Sequence, residues 1–547
     1  MRQLLPADVC EVPLHNSIMR QNESKGVQWP AVVLSLVSLC VIAVVVMALR
    51  TAGPLLLDDG YYYLQIAWHI SRGDGTTFDG INLTNGFHPL WQFLLVPVFW
   101  AGMGKITAEY AATLLQTVFF LFSGWALYWS LWRFSGRGLA LVASCVWLLN
   151  PWLWNKAAVS GMETGALVAF LGIACWLFIR LLEDNAPSWQ LGIALALLTA
   201  TRIDMLPFSA AAVLAAALLK GPRSALWVAF PTLIYLSIYL TLNTVIFGHP
   251  LPVSGYIKAA AGRELMAQFV TSGNLELFIH AWRNISEFCT LGGRLPWLVP
   301  VLAASVLPVG AWQLKGNRRV FFLVCVFNVI VYLGYYACMY SSLLSVYTYY
   351  FIPAIYTGIM CTFILLTAIS RHWVGLVGIA FLVTATTAFS AIYLINRLTL
   401  ADFTHPRERL PEQMVIEYIN HHLPPRSIVG CWDAGEIGYK SNLPVVNLDG
   451  VVNSYQYQRM LREEGLANYL AKLDVSYLTS YHVRMRQIIE KELKWELEWE
   501  ISVEVPPRRS QFSLASGGQN MKQASTQTYY VFRRPSSDQA KDFSSPW

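Results

Sequence analysis

Runs of about 17–24 mostly apolar residues recur from Pro30 to Ile395 and then stop, and each is long enough to cross a bilayer as a helix. The first occupies 30–49. Pro89 to Trp132 is nearly all apolar, interrupted only at Gly102–Lys105 and Glu109. Its second half reads as a span; its first half, about 15 residues, is short for one and reads as tilted or re-entrant. The runs together predict a polytopic α-helical membrane protein of about 11–13 spans. From about residue 399 the pattern becomes that of a soluble α/β domain. Met414–His421 reads as a helix, and Ser427–Trp432 and Leu443–Leu448 read as short buried strands. Residues 433–439 (DAGEIGY) form the turn between them, and 495–505 and Tyr529–Phe532 alternate as strands. The expected organisation is a cytoplasmic tail (1–29), a transmembrane module (30–398) with its first outer loop at 50–88, and an extracytoplasmic domain (399–547). Within that domain the Ser/Gln/Gly-rich stretch around 510–527 and the last dozen residues are expected to be flexible.

Composition sharpens this picture. The chain of 547 residues is 55% hydrophobic and 13% charged. Its first apolar run is long enough to remain as an anchor, which argues against a cleaved signal peptide. The net charge of +6 comes from Lys and Arg placed mostly in short loops; that pattern sets topology and does not favour nucleic acid. Arg2, Arg20 and Lys25 place the amino-terminal tail in the cytoplasm. Arg133/Arg137, Glu183–Asn185, Lys220–Arg223, Lys315–Arg319 and Arg371–His372 then fall inside, and the intervening loops and the C-terminal domain fall outside. The nine Cys show no metal-type spacing, and most lie in apolar runs. Cys289 and Cys431 lie outside such runs and either pair or stay free. Asn82 and Asn284 begin glycosylation sequons, a weak signal.

The chemistry concentrates between Leu57 and Trp91. Asp58 and Asp59 follow the first span closely, where a carboxylate is costly to desolvate. They either cap the helix that follows or act chemically. Asp58, Tyr62, Gln65 and His69 form a polar helical stripe, and Tyr61, Leu64 and Trp68 an apolar one. The expected helix lies at the membrane surface, apolar face to lipid and polar face to a cavity. Asn82, Thr84, Asn85 and His88 follow in a turn-rich loop. On the drawn topology Asp58, Asp59, His88, Glu163, Arg202, Asp204, Lys258 and Tyr349–Tyr350 all sit at outer ends of spans. Carboxylates beside cations over a lipid-accessible groove suit transfer chemistry on a phosphate-bearing lipid, with a carboxylate as general base and cations stabilising the leaving phosphate. No nucleotide-phosphate loop is present. Simpler roles stand beside these: Glu163 pairing with Lys156, Arg202 with Asp204, Lys258 snorkelling to headgroups, and the 347–350 tyrosines forming an interfacial belt.

The acidic pair followed by YYYLQIA and TFDGINLTNGFHPLW resembles the membrane-embedded GT-C glycosyltransferases, most closely bacterial enzymes related to the protein mannosyltransferase and arabinofuranosyltransferase groups. SGMET (160–164), TRID (201–204), PLPVSGYIK (250–258), DAGEIGY (433–439) and VVNLDGVVNS (445–454) carry the same resemblance. It covers residues from about 30 to 480. TRID departs from the family's Arg-Pro-acid pattern at Ile203. The resemblance implies a plasma-membrane enzyme that takes sugar from a polyprenyl-phosphate carrier and passes it, with inversion, to an extracytoplasmic glycan, lipid or protein. It further implies a base at Asp58 or Asp59, with Asp58 favoured by its polar stripe, and a divalent cation near the pair in some members. Gln65, His69, Asn85, His88, Glu163, Tyr256, Lys258 and Tyr349 are the expected substrate-binding residues; Lys258 with His88 is expected to hold the donor phosphate. The competing classes are a lipid-linked-glycan transporter and a membrane scaffold. Mid-membrane charges and inverted repeats, the marks of a transporter, are not evident in the sequence.

Overall fold

The computed structural model describes residues 29–290, 314–340, 348–369, 410–481, 483–505 and 525–535. The amino-terminal tail, the expected last span near Ile395, Arg371–His372, the 510–524 stretch and the carboxy-terminal dozen lie outside the described residues, as does the side chain of Cys289.

Seven helices among the described residues are long and apolar enough to cross a membrane. The first is α1 (Trp29–Ala52). After α2 (Asp58–Arg72) and the short α3 (Pro89–Trp100) comes α4 (Lys105–Leu148). That helix is a hairpin. Gly136, at φ 78° and ψ 166°, breaks it, a conformation that favours residues without a Cβ. The two arms pack together, the Trp147 indole donating to the Ser123 hydroxyl at 2.8 Å. Next come α5 (Pro151–Ala157), α6 (Thr164–Asp184), α7 (Ser188–Thr201), α8 (Leu206–Lys220) and α9 (Pro222–Phe247). The expected outer loop from Gly248 holds α10 (Val253–Lys258), α11 (Ala260–Ser272) and α12 (Glu276–Thr290). α13 (Gly316–Met339) and α14 (Ile352–Ile369) complete the described bundle.

The polar residues separate to the two ends of this bundle. At one end Arg133 pairs with Asp184, Lys220 donates to the Leu182 carbonyl and Asn185, and Asn317 donates to Leu182 and Glu183. At the other end Asp59, Glu163, Arg202 and Lys258 gather. Among the described residues the short loops therefore alternate between the two ends.

The C-terminal domain begins with α15 (Leu410–His422) and β1 (Ile428–Cys431). Residues expected as a turn instead form α16 (Gly435–Lys440) before β2 (Val445–Asn447). The glycines there permit close packing without breaking the helix. α17 (Tyr455–Glu463), α18 (Gly465–Lys472), β3 (Val475–Ser480), α19 (Val483–Lys491), β4 (Glu496–Val505) and β5 (Ser525–Arg533) follow. The sheet runs β2-β1-β3-β5-β4, with β1 parallel to β2 and β3 and with β5 antiparallel to β3 and β4. Cys431 on β1 is a free, buried thiol.

Candidate functional site

α2 does not lie on a lipid surface. Tyr61 and Leu64, expected to face lipid, are both 0% exposed; only Trp68 is partly open, covered by Lys105 and Arg72. The helix is enclosed by α3, α4 and α16, so an apolar stripe here marks burial against protein. Neither acidic residue caps it, since Leu57 is the N-cap and makes no side-chain bond.

The two carboxylates diverge. The Asp58 oxygens accept backbone N–H groups from Gly435 at 3.0 Å and Glu436 at 2.9 Å, both in the C-terminal domain. Asp59 turns the other way. Its Oδ2 accepts the Tyr349 hydroxyl at 2.8 Å and the Lys258 ammonium at 3.2 Å. It lines an open cleft of about 410 Å³ together with Tyr62, Tyr63, His88, Glu163, Ser254 and Lys258. Val451 and Val452 of the C-terminal domain also line it. Burial is the main cause pushing the Asp58 carboxyl up to about 7; the Glu436 and Gly435 amides oppose it and Asp59 adds repulsion. A carboxyl near 7 suits a general base, but a base must first reach the proton it takes. Of the two carboxylates, Asp59 is the one that lines the cleft. Burial disfavours the Lys258 ammonium, yet Asp59 and the Tyr350 hydroxyl outweigh that and hold the amine above its ordinary value.

Behind the cleft is a buried charge network. The Glu163 carboxylate accepts Arg202 Nη1 at 2.8 Å and the Tyr63 hydroxyl at 2.8 Å, with His88 Nε2 3.7 Å away. Arg202 also donates to Asp204 at 2.7 Å and to the Tyr336 hydroxyl at 2.6 Å, and stacks 4.6 Å from the Tyr350 ring centre. Tyr332 and Tyr336 both donate to Asp204. Glu163 thus pairs with Arg202 where the sequence offered Lys156. The Arg202–Asp204 pair forms as expected and extends to Glu163 despite Ile203. Burial pushes the His88 imidazole down, outweighing the pull of Glu163, so its neutral form is favoured.

The cleft therefore brings together Asp59, His88, Glu163 and Lys258, and Tyr349 joins through its bond to Asp59. Lys258 pairs with Asp59 where snorkelling was the alternative, and Tyr349 and Tyr350 are buried instead of forming a belt. Gln65 and His69 lie elsewhere, bonded to each other at 3.2 Å, with His69 Nδ1 3.0 Å from Asp74. Asn85 ties the loop to α9 and α10, donating to Asn243 and the Leu251 carbonyl and accepting the Val253 amide. Tyr256 sits under Arg263 and accepts from Arg462 of α17. The sequence placed Tyr62 on the stripe expected to face a cavity, but Tyr63, Val451 and Val452 were not among the expected site residues. Tyr63 was legible, because it shares a helical stripe with Asp59; the valines were not, being distant in sequence.

A divalent cation does not fit this pair. One carboxylate is engaged by amides and the other by an ammonium, and among the described residues no group of three or more His, Cys, Asp or Glu could hold a metal.

A family described as a domain of unknown function (DUF8728) matches residues 401–532. No curated protein matches the chain. Among solved structures, ArnT from Cupriavidus metallidurans bound to undecaprenyl phosphate is similar at TM-score 0.50 and 12% identity, covering 94% of this chain and 99% of that one. The apo oligosaccharyltransferase of Archaeoglobus fulgidus is similar at TM-score 0.47 and 14% identity, covering 85% of this chain and 70% of that one. The ArnT likeness is one of fold: the chain is a multi-pass membrane protein of the GT-C fold with a C-terminal sheet-containing domain.

Proposed function

We propose that this protein is an integral membrane glycosyltransferase. In this reading it moves a sugar from a polyprenyl-phosphate-linked donor to an acceptor on the extracytoplasmic face of the plasma membrane. The observation that carries it is Asp59 on the wall of the cleft, its carboxylate 3.2 Å from the Lys258 ammonium. A group able to take a proton stands beside a half-buried cation able to neutralise a departing phosphate. The solved GT-C structure with undecaprenyl phosphate bound supports the donor class.

Asp59 takes the acceptor's proton as its nucleophilic atom attacks the anomeric carbon from the side opposite the phosphate. The anomeric carbon–oxygen bond breaks, its electron pair passes to the phosphate oxygen, and Lys258 balances the charge gained there. One displacement gives inversion. Glu163, held by Arg202 and Tyr63, lies 3.7 Å from the neutral His88 beside the cleft. The base is Asp59 and not Asp58, since both Asp58 oxygens are committed to backbone amides.

The test is transfer by purified protein from radiolabelled polyprenyl-phosphate sugars to native envelope glycans, lipids and proteins. Asp59→Asn should reduce transfer by about 10²–10⁴-fold, the usual worth of general base catalysis. Wild-type turnover in that variant would remove Asp59 as the base. Donor binding without transfer to any acceptor would favour a lipid-linked-glycan transporter.

A further inference from the structure

Residues 401–532 match a family described as a domain of unknown function. Its contact with the membrane module is specific. Asp58 accepts the amides of Gly435 and Glu436. Tyr62, one turn on along α2, donates to Asp449 at 3.2 Å and accepts from Asn447 at 3.2 Å. The Thr84 hydroxyl donates to the Asn453 carbonyl at 2.8 Å. Lys105 at the start of α4 donates to the Tyr439 carbonyl, and the Tyr439 hydroxyl donates back to the Lys105 carbonyl, both at 2.6 Å. The segment held by these bonds, 447–453, carries Val451 and Val452 into the cleft that Asp59 lines.

We propose that Asp58 is a positioning residue: through the Gly435 and Glu436 amides it registers the C-terminal domain on α2, so that Val451 and Val452 close one wall of the cleft beside Asp59. The domain is then a working part of the site and helps decide what reaches Asp59. Asp58 is suited to this because it binds backbone, and Gly435 lets α16 come this close, since a Cβ there would lie 2.1 Å from the Asp58 carbonyl oxygen. Its neighbour Asp59 faces the cleft, so one dipeptide serves both docking and chemistry. The docking stands whatever the reaction; describing Asp58 as positioning for catalysis rests on the glycosyltransferase reading.

Two measurements on the full-length protein in lipid nanodiscs test this without needing the substrate. The first is hydrogen exchange in Asp58→Ala, Asp58→Asn and Tyr62→Phe. Exchange across 433–440 and 447–453 should rise at least tenfold in Asp58→Ala and less in Asp58→Asn, which keeps one acceptor oxygen. β3 (Val475–Ser480), within the domain's own core, should not change. The second places a thiol in the cleft as Ser254→Cys and follows its labelling by a charged maleimide, read on that peptide. Adding Asp58→Ala should speed labelling at least tenfold, and Tyr62→Phe should act in the same direction. Unchanged exchange across 433–440 would overturn the docking role. A rise that extends through β3 would make Asp58 a general folding contact, and unchanged labelling would overturn the closed wall. A failed transfer assay with these results intact would count against the proposed reaction alone.

Discussion

Asp58 and Asp59 are adjacent and chemically identical, yet one binds backbone amides and the other faces a cleft. A helix turns by about 100° per residue, so neighbours cannot share a face. The sequence made the pair conspicuous but could not say which side of α2 faces the cleft. It favoured Asp58 by its polar stripe with Gln65 and His69, residues that turn out to brace each other. Arg202 shows the opposite case, since a pair legible two residues apart is the visible part of a larger network. Its side chain is 3% exposed and that of Glu163 0%. Breaking a buried, hydrogen-bonded ion pair costs about 3–5 kcal/mol. Arg202→Ala should lower stability by that order in detergent thermal unfolding. Arg202→Lys should recover little, because an ammonium lacks the planar fork that serves Glu163, Asp204 and Tyr336 together. An unchanged melting temperature would remove the network's structural role.

His88 gives the site a pH dependence. Its imidazole titrates lower in the folded protein than the value of about 6.5 expected unfolded. The unfolded chain therefore binds the proton more readily. The stability tied to neutral His88 is present above pH 6.5 and is lost as pH falls through the lower folded value. Melting temperatures from pH 8 to 5 should fall more steeply for wild type than for His88→Gln. Parallel profiles would mean that His88 is not the group responsible.

At the scale of elements, the runs of apolar residues gave the helices because a bilayer-length run has few alternatives. α4 is continuous in pattern but reverses at Gly136, and the basic residues of RFSGRG were the signal for that turn. α2 was found and its environment misjudged, since periodicity reports an apolar face without naming what covers it. The loop that follows is held close to the C-terminal domain at a position that tolerates no side chain. A Cβ on Gly86 would come within 2.0 Å of the Val451 carbonyl oxygen. Overpacking of this kind costs typically about 1–3 kcal/mol. Gly86→Ala should lower the melting temperature of the purified protein and make the chain between bundle and domain more sensitive to protease. If neither changes, the loop and domain separate more readily than their packing implies.

At the scale of the whole molecule, the charges of the short loops collect at one end of the bundle and the cleft with the C-terminal domain at the other. The positive-inside rule predicts that the end rich in Lys and Arg loops faces the cytoplasm and the cleft end the outside. An alkaline phosphatase fused after Trp547 should be active, and one fused after Lys220 inactive; the reverse would invert the topology. The sequence by itself determined the membrane class, the alternation of loops, the separate C-terminal domain and the residues costly enough in a membrane to need a purpose. These are one-dimensional properties, set by run length, periodicity and charge order. Only the tertiary structure decided that Asp59 faces the cleft, that Glu163 pairs with Arg202, and that Val451 and Val452 complete a wall beside residues nearly 400 positions earlier. Such contacts depend on how helix faces rotate and which distant segments meet, and a single sequence carries no local pattern for either.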